Sequence, residues 1–367
     1  MMKVVLCIPS LRTAGAEKFV VDLATNFKQD AMKIYIAVTR NNKIETFKDL
    51  LNEKHIEIID LSDRSFFKML KKQIKFLKEI KPDVVHANIG SLFHIMLATK
   101  LVGTKVRLYT VHNEAKLLYG DSKIRKLFYK LAFTFFKFKP IAICETVKKT
   151  MVEEFGLKYK NMYTVNNGVD INAFHTKEKN FNKDEIVFIN TGTMYWVKNQ
   201  GQIIDAFHEI SKKYENVKLI LLGDGQDRKK LQKQIEEKNL VDLVEMPGKV
   251  SNVGEYLRNA DVYVSASLTE GLPLSMLEAM ASGLPVITSD AGGSVDIVSS
   301  DVNGFVFEKG NTEDLINAME ILVKDKHCRE IYSNNSRRIA ESWSLDKCAE
   351  HYFNIYKKEL KNENFKK

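Results

Sequence analysis

Short apolar runs rich in β-branched residues alternate with longer amphipathic segments along the whole chain. Runs at 4–8, 34–38, 56–59, 84–86, 107–111 and 141–144 predict strands in the first half. Runs at 186–191, 218–222, 244–246, 262–266, 286–288 and 304–307 predict a second set. Between them the spacing turns to a helical period, as at 202–214, and a last amphipathic helix is expected over about 345–361. Strands that alternate with helices form parallel sheets covered on both faces. The chain therefore reads as α/β, with two similar α/β units in tandem. The polar stretch 170–184 has no sustained period and marks the join. The expected division is 1–170, 171–345, and a terminal segment 346–367 packing back toward the first domain.

Length agrees, since 367 residues exceed the roughly 100–150 that one core usually supports. Hydrophobic residues at 44% and charged residues at 28% are ordinary soluble proportions, and no run reaches the ~18 apolar residues of a membrane span. The apolar run before Pro9 is too short for a signal peptide. Cys7, Cys144, Cys328 and Cys348 form neither a Cys-x-x-Cys clip nor a zinc spacing. A reducing, cytoplasmic setting fits them. The net charge of +9 calls for an anionic partner, which could be a nucleotide, a membrane surface or nucleic acid. No nucleic-acid motif accompanies the charge. The stretch 122–139 interleaves Lys123, Arg125, Lys126, Lys130, Lys137 and Lys139 with Phe128, Tyr129, Phe133, Phe135, Phe136 and Phe138. The stretch 66–81 is similarly basic. Either could be a core-facing helix with a solvated lysine face, but together they suit the inner face of an anionic membrane.

Ligands of open α/β sheets bind beyond the carboxyl ends of the strands. After the first strand, Gly15 permits close backbone approach at the start of a helix. His112 follows the strand 107–111, where a lone histidine is more often structural than functional. The run 166–170, Asn-Asn-Gly-Val-Asp, is a turn signal, as is Gly223-Asp224-Gly225. Thr193 follows a strand-end glycine, and Lys198 stands ahead of a helix, where it could neutralise a diphosphate or simply be solvated. The richest segment runs from Glu270 through Gly271, Leu272, Pro273 and Leu274 to Glu278. Pro273 fits a first helical position, so a helix should run from there to about Ser282, stopped by Gly283. Glu270 then precedes the helix and Glu278 lies about 7–8 Å further along its axis. Beside the buried stripe of Leu274, Leu277 and Met280, Glu278 needs a hydrogen-bonding partner.

The pair Glu270 and Glu278, with Gly271-Leu272-Pro273 between them and Ala281-Ser282-Gly283-Leu284-Pro285 after them, resembles the glutamate–seven–glutamate signature of the retaining GT-B glycosyltransferases of family 4. The likeness extends over nearly the whole chain, through Ala14-Gly15-Ala16-Glu17, His112, Asn167-Gly168-Val169-Asp170, Gly223-Asp224-Gly225 and Asn303-Gly304-Phe305. It implies a GT-B fold, with two Rossmann-like domains facing each other across a cleft. It also implies transfer of a sugar from a UDP- or GDP-linked donor to a saccharide or lipid-linked acceptor, as in cell-surface polysaccharide or lipopolysaccharide synthesis.

By the same resemblance Glu278 would bind ribose, Glu270 would lie near the transferred sugar and Lys198 would meet the diphosphate. Backbone N–H groups of Gly271 to Leu274 would hold sugar and phosphate, His112 would approach the sugar from the other domain, and Gly15 would let the first loop close. The chain departs from the family at Thr193, which stands where an arginine usually pairs with the lysine, and at Ala14, which replaces a glycine. Arg12 is one alternative cation. No metal is expected, since the chain holds no Asp-x-Asp, and no cofactor beyond the co-substrate. The competing readings are a nucleotide-sugar epimerase of similar fold and a basic nucleic-acid-binding protein.

Overall fold

The structure is a computed structural model that describes residues 1–11, 15–28, 30–40, 47–174, 181 and 184–365. Arg12, Ala14 and much of the join at 170–184 lie outside the described residues. The chain divides into two compact units, Met1–Gly168 with Leu345–Lys367, and Val169–Ser344.

In the first unit the strands are β1 (Met2–Ile8), β2 (Met32–Val38), β3 (Glu57–Asp60), β4 (Val84–Asn88), β5 (Val106–Val111), β6 (Lys139–Ala142) and β7 (Tyr163–Thr164). They form a parallel sheet in the order β3-β2-β1-β4-β5-β6-β7. In the central strand β1, residues Val4 to Ile8 are all buried, which is why it reads as an unbroken apolar run. Two-residue β7 is not among the predicted strands, because Tyr-Thr is too short to carry a pattern. The terminal helix Leu345–Asn364 completes this unit. Its fully buried Tyr352 and Tyr356 pack on the rings of Phe19 and Phe27. Gly168 lies so close to the start of this helix that a Cβ there would stand 2.5 Å from Leu345 Cα.

The second unit holds β8 (Ile186–Thr191), β9 (Val217–Leu222), β10 (Val244–Gly248), β11 (Val262–Ser265), β12 (Val286–Ser289) and β13 (Gly304–Phe307). All pairings are parallel, in the order β10-β9-β8-β11-β12-β13. Phe188, Phe207, Leu219, Val264 and Met319 share one core, each worth roughly 1.5–3 kcal/mol of burial. Chain direction across the sheet reverses beside β8, which is flanked by β9 and β11. In the first sheet β1 holds the same position between β2 and β4. Such switch points leave a crevice at the carboxyl ends of the flanking strands. No helix among the described residues is long and apolar enough to cross a membrane.

Candidate active site

The loops that leave β8 and β11, the switch-point strands of the second unit, carry the residues singled out by the sequence. From β8 the chain passes through Gly192 and Thr193 into a single 3-10 turn, Trp196–Lys198. From β11 it passes through Ser267 to Glu270 and then into the helix Leu274–Ala281. The Leu268 N–H donates to the Val197 carbonyl at 2.8 Å and ties the two loops together.

That tie sets Lys198 Nζ 2.5 Å from Glu270 Oε1. The Ser267 hydroxyl donates to the same oxygen at 2.6 Å, and the Ser289 hydroxyl donates to the Ser267 carbonyl at 2.6 Å. Glu270 is only 10% exposed and Lys198 27% exposed, so this is a half-buried, oriented ion pair rather than a loose surface one. Sequence reasoning gave these two residues separate partners, and the structure joins them.

Pro273 does not occupy the first helical turn. Its ψ of 105° is extended, making it the cap, and the helix starts one residue later and ends at Ala281. The first-turn N–H groups lack acceptors within the helix, and the dipole there favours an anion. Glu278, half-buried, lies on this helix, and Gly271 accepts the Gly293 N–H through its carbonyl. Leu272 is buried, whereas Leu274 is half-buried.

Two glycine contacts pin the floor of the site. A Cβ on Gly223, whose φ is 137°, would lie 1.9 Å from the Gly192 carbonyl oxygen, and one on Gly225 would lie 2.2 Å from that of Met194. Only glycine lets the strand-end backbones approach this closely. Arg228, the first cation of the following helix, donates to the Met246 carbonyl at 2.6 Å and lies 3.4 Å from that of Gly223. It braces the loop. Thr193 is exposed, and its carbonyl accepts from Gln200 at 3.2 Å. Among the described residues no three of His, Cys, Asp and Glu group as metal ligands.

Tyr263 was not foreseen. Its hydroxyl shares a hydrogen bond with Ser275 at 2.9 Å and reaches the Thr191 carbonyl at 3.4 Å. Burial pushes this phenol up to about 12, against the pull of those two bonds and with a further push from the Glu270 and Glu278 carboxylates. It stays a neutral hydroxyl beside both acids, joining β11 to the first turn of the helix. As an aromatic within an apolar run it reads only as core, and its polar tip was the available signal.

On the first unit, Gly15 opens the helix Gly15–Asn26 after β1. His112 follows β5, half-buried, with Nε2 at 3.1 Å from Asn88 Oδ1 and its ring edge on Phe19. Burial lowers its pKa to about 4, so it is neutral at pH 7. Behind it His86, fully buried, lies between the Tyr356 and Thr110 hydroxyls, each at 2.7 Å, and burial lowers its pKa to about 3. Neither Asn88 nor His86 was foreseen, since both sit inside a strand.

Comparison with known proteins identifies the family and the fold. The family described as Glycosyltransferase Family 4 matches residues 13–173, and that described as Glycosyl transferases group 1 matches residues 172–339. An uncharacterized glycosyltransferase of Methanocaldococcus jannaschii is 31% identical over 337 residues, 77% of this chain and 81% of that protein. The Escherichia coli UDP-Gal:alpha-D-GlcNAc-diphosphoundecaprenol alpha-1,3-galactosyltransferase is 24% identical, over 90% of this chain and 85% of that one. Among solved structures, Anabaena HepE in complex with UDP and glucose superposes with a TM-score of 0.85 at 20% identity, covering 98% of this chain and 100% of HepE. The chain belongs to the group 1 glycosyl transferases and is a glycosyltransferase of GT-B fold.

Proposed function

We propose that the enzyme transfers a sugar from a UDP- or GDP-linked donor to a hydroxyl of a saccharide or lipid-linked saccharide, with retention of anomeric configuration and without a metal or other cofactor. The observation that carries this reading is the oriented pair of Lys198 and Glu270 beside the start of the helix Leu274–Ala281. As the bond between the anomeric carbon and the diphosphate breaks, negative charge grows on the leaving phosphate. A preorganised ammonium, the loop N–H groups of Gly271 and Leu272 and the Leu274 N–H at the start of the helix stabilise that charge, each such donor commonly being worth roughly 3–4 kcal/mol. Glu270, fixed by Ser267, aims Lys198 and accepts from a sugar hydroxyl. Glu278 takes the ribose hydroxyls. Thr193 presents a small, uncharged side chain where the family usually has arginine, leaving Lys198 as the principal cation. The acceptor hydroxyl attacks from the face the diphosphate leaves, and its proton passes to the departing phosphate oxygen. His112 contacts the transferred sugar, and Gly15 gives its loop the freedom to approach phosphate or acceptor.

A lipid-linked acceptor at an anionic membrane surface is supported by the helix Lys123–Thr134. It buries Tyr129, Ala132 and Phe133, yet Ile124, Leu127, Phe128 and Leu131, spaced as one face and continued by Phe135, stand exposed among cations. The Escherichia coli relative is named for a diphosphoundecaprenol-linked acceptor, and one from Acholeplasma laidlawii is named alpha-monoglucosyldiacylglycerol synthase. Purified protein should be offered a panel of UDP- and GDP-sugars with EDTA present, the product anomer being read by NMR. Slow hydrolysis or transfer of one donor with an α-product is expected. A requirement for added divalent metal, or an inverted product, would overturn the mechanism.

A further inference from the structure

Asn88 is the last residue of β4, a switch-point strand of the first sheet, and is fully buried. Its amide makes two contacts. Oδ1 lies 3.1 Å from His112 Nε2, and Nδ2 lies 3.4 Å from the His86 carbonyl. The second contact settles which way the amide faces, because a turned amide would set its oxygen against that carbonyl. Oδ1 can only accept, so His112 Nε2 carries a proton. His112 Nδ1 has no hydrogen-bond partner among the described residues.

The next residue sharpens the point. Ile89 has φ 53°, a left-handed conformation that a β-branched side chain rarely takes and that concentrates at functional sites. The turn is held by Ser91, whose hydroxyl accepts the Asn88 N–H at 3.1 Å and lies 2.9 Å from the Cys7 carbonyl on β1. The strained turn thus fixes Asn88 from both sides.

We propose that Asn88 is a positioning residue that holds His112 in its Nε2–H tautomer, so that Nδ1 presents a lone pair to a hydroxyl of the transferred sugar. This rests on the reading of His112 as a sugar contact. The ionisable groups around it leave the ring neutral. His86 is the other imidazole close enough to act on it and is itself kept uncharged by burial. The Tyr352 and Tyr356 phenols, packed on the His86 ring, are pushed well above their ordinary range by burial. No carboxylate bonds His112 among the described residues. His112 therefore accepts a hydrogen bond and does not serve as the cation at the leaving group.

Long-range ¹H–¹⁵N correlation of the whole protein with labelled histidine tests this directly. At pH 7, His112 Nδ1 should show the shift of a bare nitrogen and Nε2 that of a protonated one. The opposite pattern overturns the role of Asn88, and this measurement needs no variant. Asn88→Asp then sets a carboxylate against Nε2–H, which should raise the His112 pKa and protonate Nδ1 as pH falls. The transfer rate should acquire an acid limb at least one pH unit above that of wild type and approach the wild-type rate near pH 8. Superimposable pH profiles with an unmoved His112 titration overturn the positioning role. A His112 titration that moves while transfer does not overturns the sugar contact beneath it.

Discussion

The two sheets end differently. At the carboxyl edge of the second sheet, backbone meets backbone, with Gly223 against the Gly192 carbonyl and Gly225 against that of Met194, and the resulting floor carries a few polar side chains. At the edge of the first sheet, side chains do the joining, with Asn88, His86 and Thr110 bonded to His112, Tyr356 and Tyr352. On the proposed function, the second edge would meet a diphosphate with N–H groups and the Lys198 ammonium. A surface that must fit a less charged ligand is built from neutral imidazoles and hydroxyls whose directions are fixed by burial.

The sharpest way to break that contrast is to remove the cation. Lys198→Ala should lower kcat about 10²- to 10³-fold while the protein still folds, with some loss of thermal stability because Glu270 loses its partner, and full activity would remove Lys198 from the site. Next comes the backbone floor. Gly223→Ala should cost about 1–3 kcal/mol through strain alone in a urea titration. Gly120→Ala in the first unit, where an added Cβ meets nothing within 4 Å, pays only for its φ of 59° and should cost less.

The neutral imidazoles predict a pH dependence. Folded His86 stays uncharged down to about pH 3, whereas the unfolded chain takes up a proton near its ordinary value of 6.5. Its folded pKa is lowered, so the unfolded state binds more protons in that window. Stability is then full above 6.5 and falls as pH drops toward 3, by at most about 1.4 kcal/mol per pH unit. His86→Gln should flatten the slope of the denaturation midpoint between pH 6.5 and 4.5. The smallest effect belongs to the surface. Replacing Leu127 and Leu131 together by serine should weaken sedimentation with anionic vesicles several-fold, with little change in transfer to a soluble acceptor. Unchanged sedimentation would leave the exposed stripe without a membrane role.

Much of this was legible in the sequence because of what a parallel sheet requires. Strands such as Val4 to Ile8 and the stretch Ile186 to Ile189 are buried on both faces and read as unbroken apolar runs. The Glu270 to Glu278 segment stood out because proline, glycine and two acids cannot all be core. The pairing of Lys198 with Glu270 was not legible, since 72 residues separate them and only adjacent strand ends bring them together. Tyr263, His86 and Asn88 were hidden for the opposite reason, being polar tips within strands whose neighbours are all apolar. The helix Lys123–Thr134 was ambiguous, because its two apolar faces give one pattern with two meanings.

The place of the terminal helix bears on how the protein is made. His86 and Thr110 face the phenols of Tyr356 and Tyr352, and buried Glu359 pairs with Lys139 and accepts from Tyr163. All of those partners are translated more than 150 residues after the strands they complete. A ribosome therefore releases the second unit as a continuous stretch able to fold at once, while the first waits with polar groups open along one flank. Loss of the last turns would register as a fault in the half of the protein made earliest.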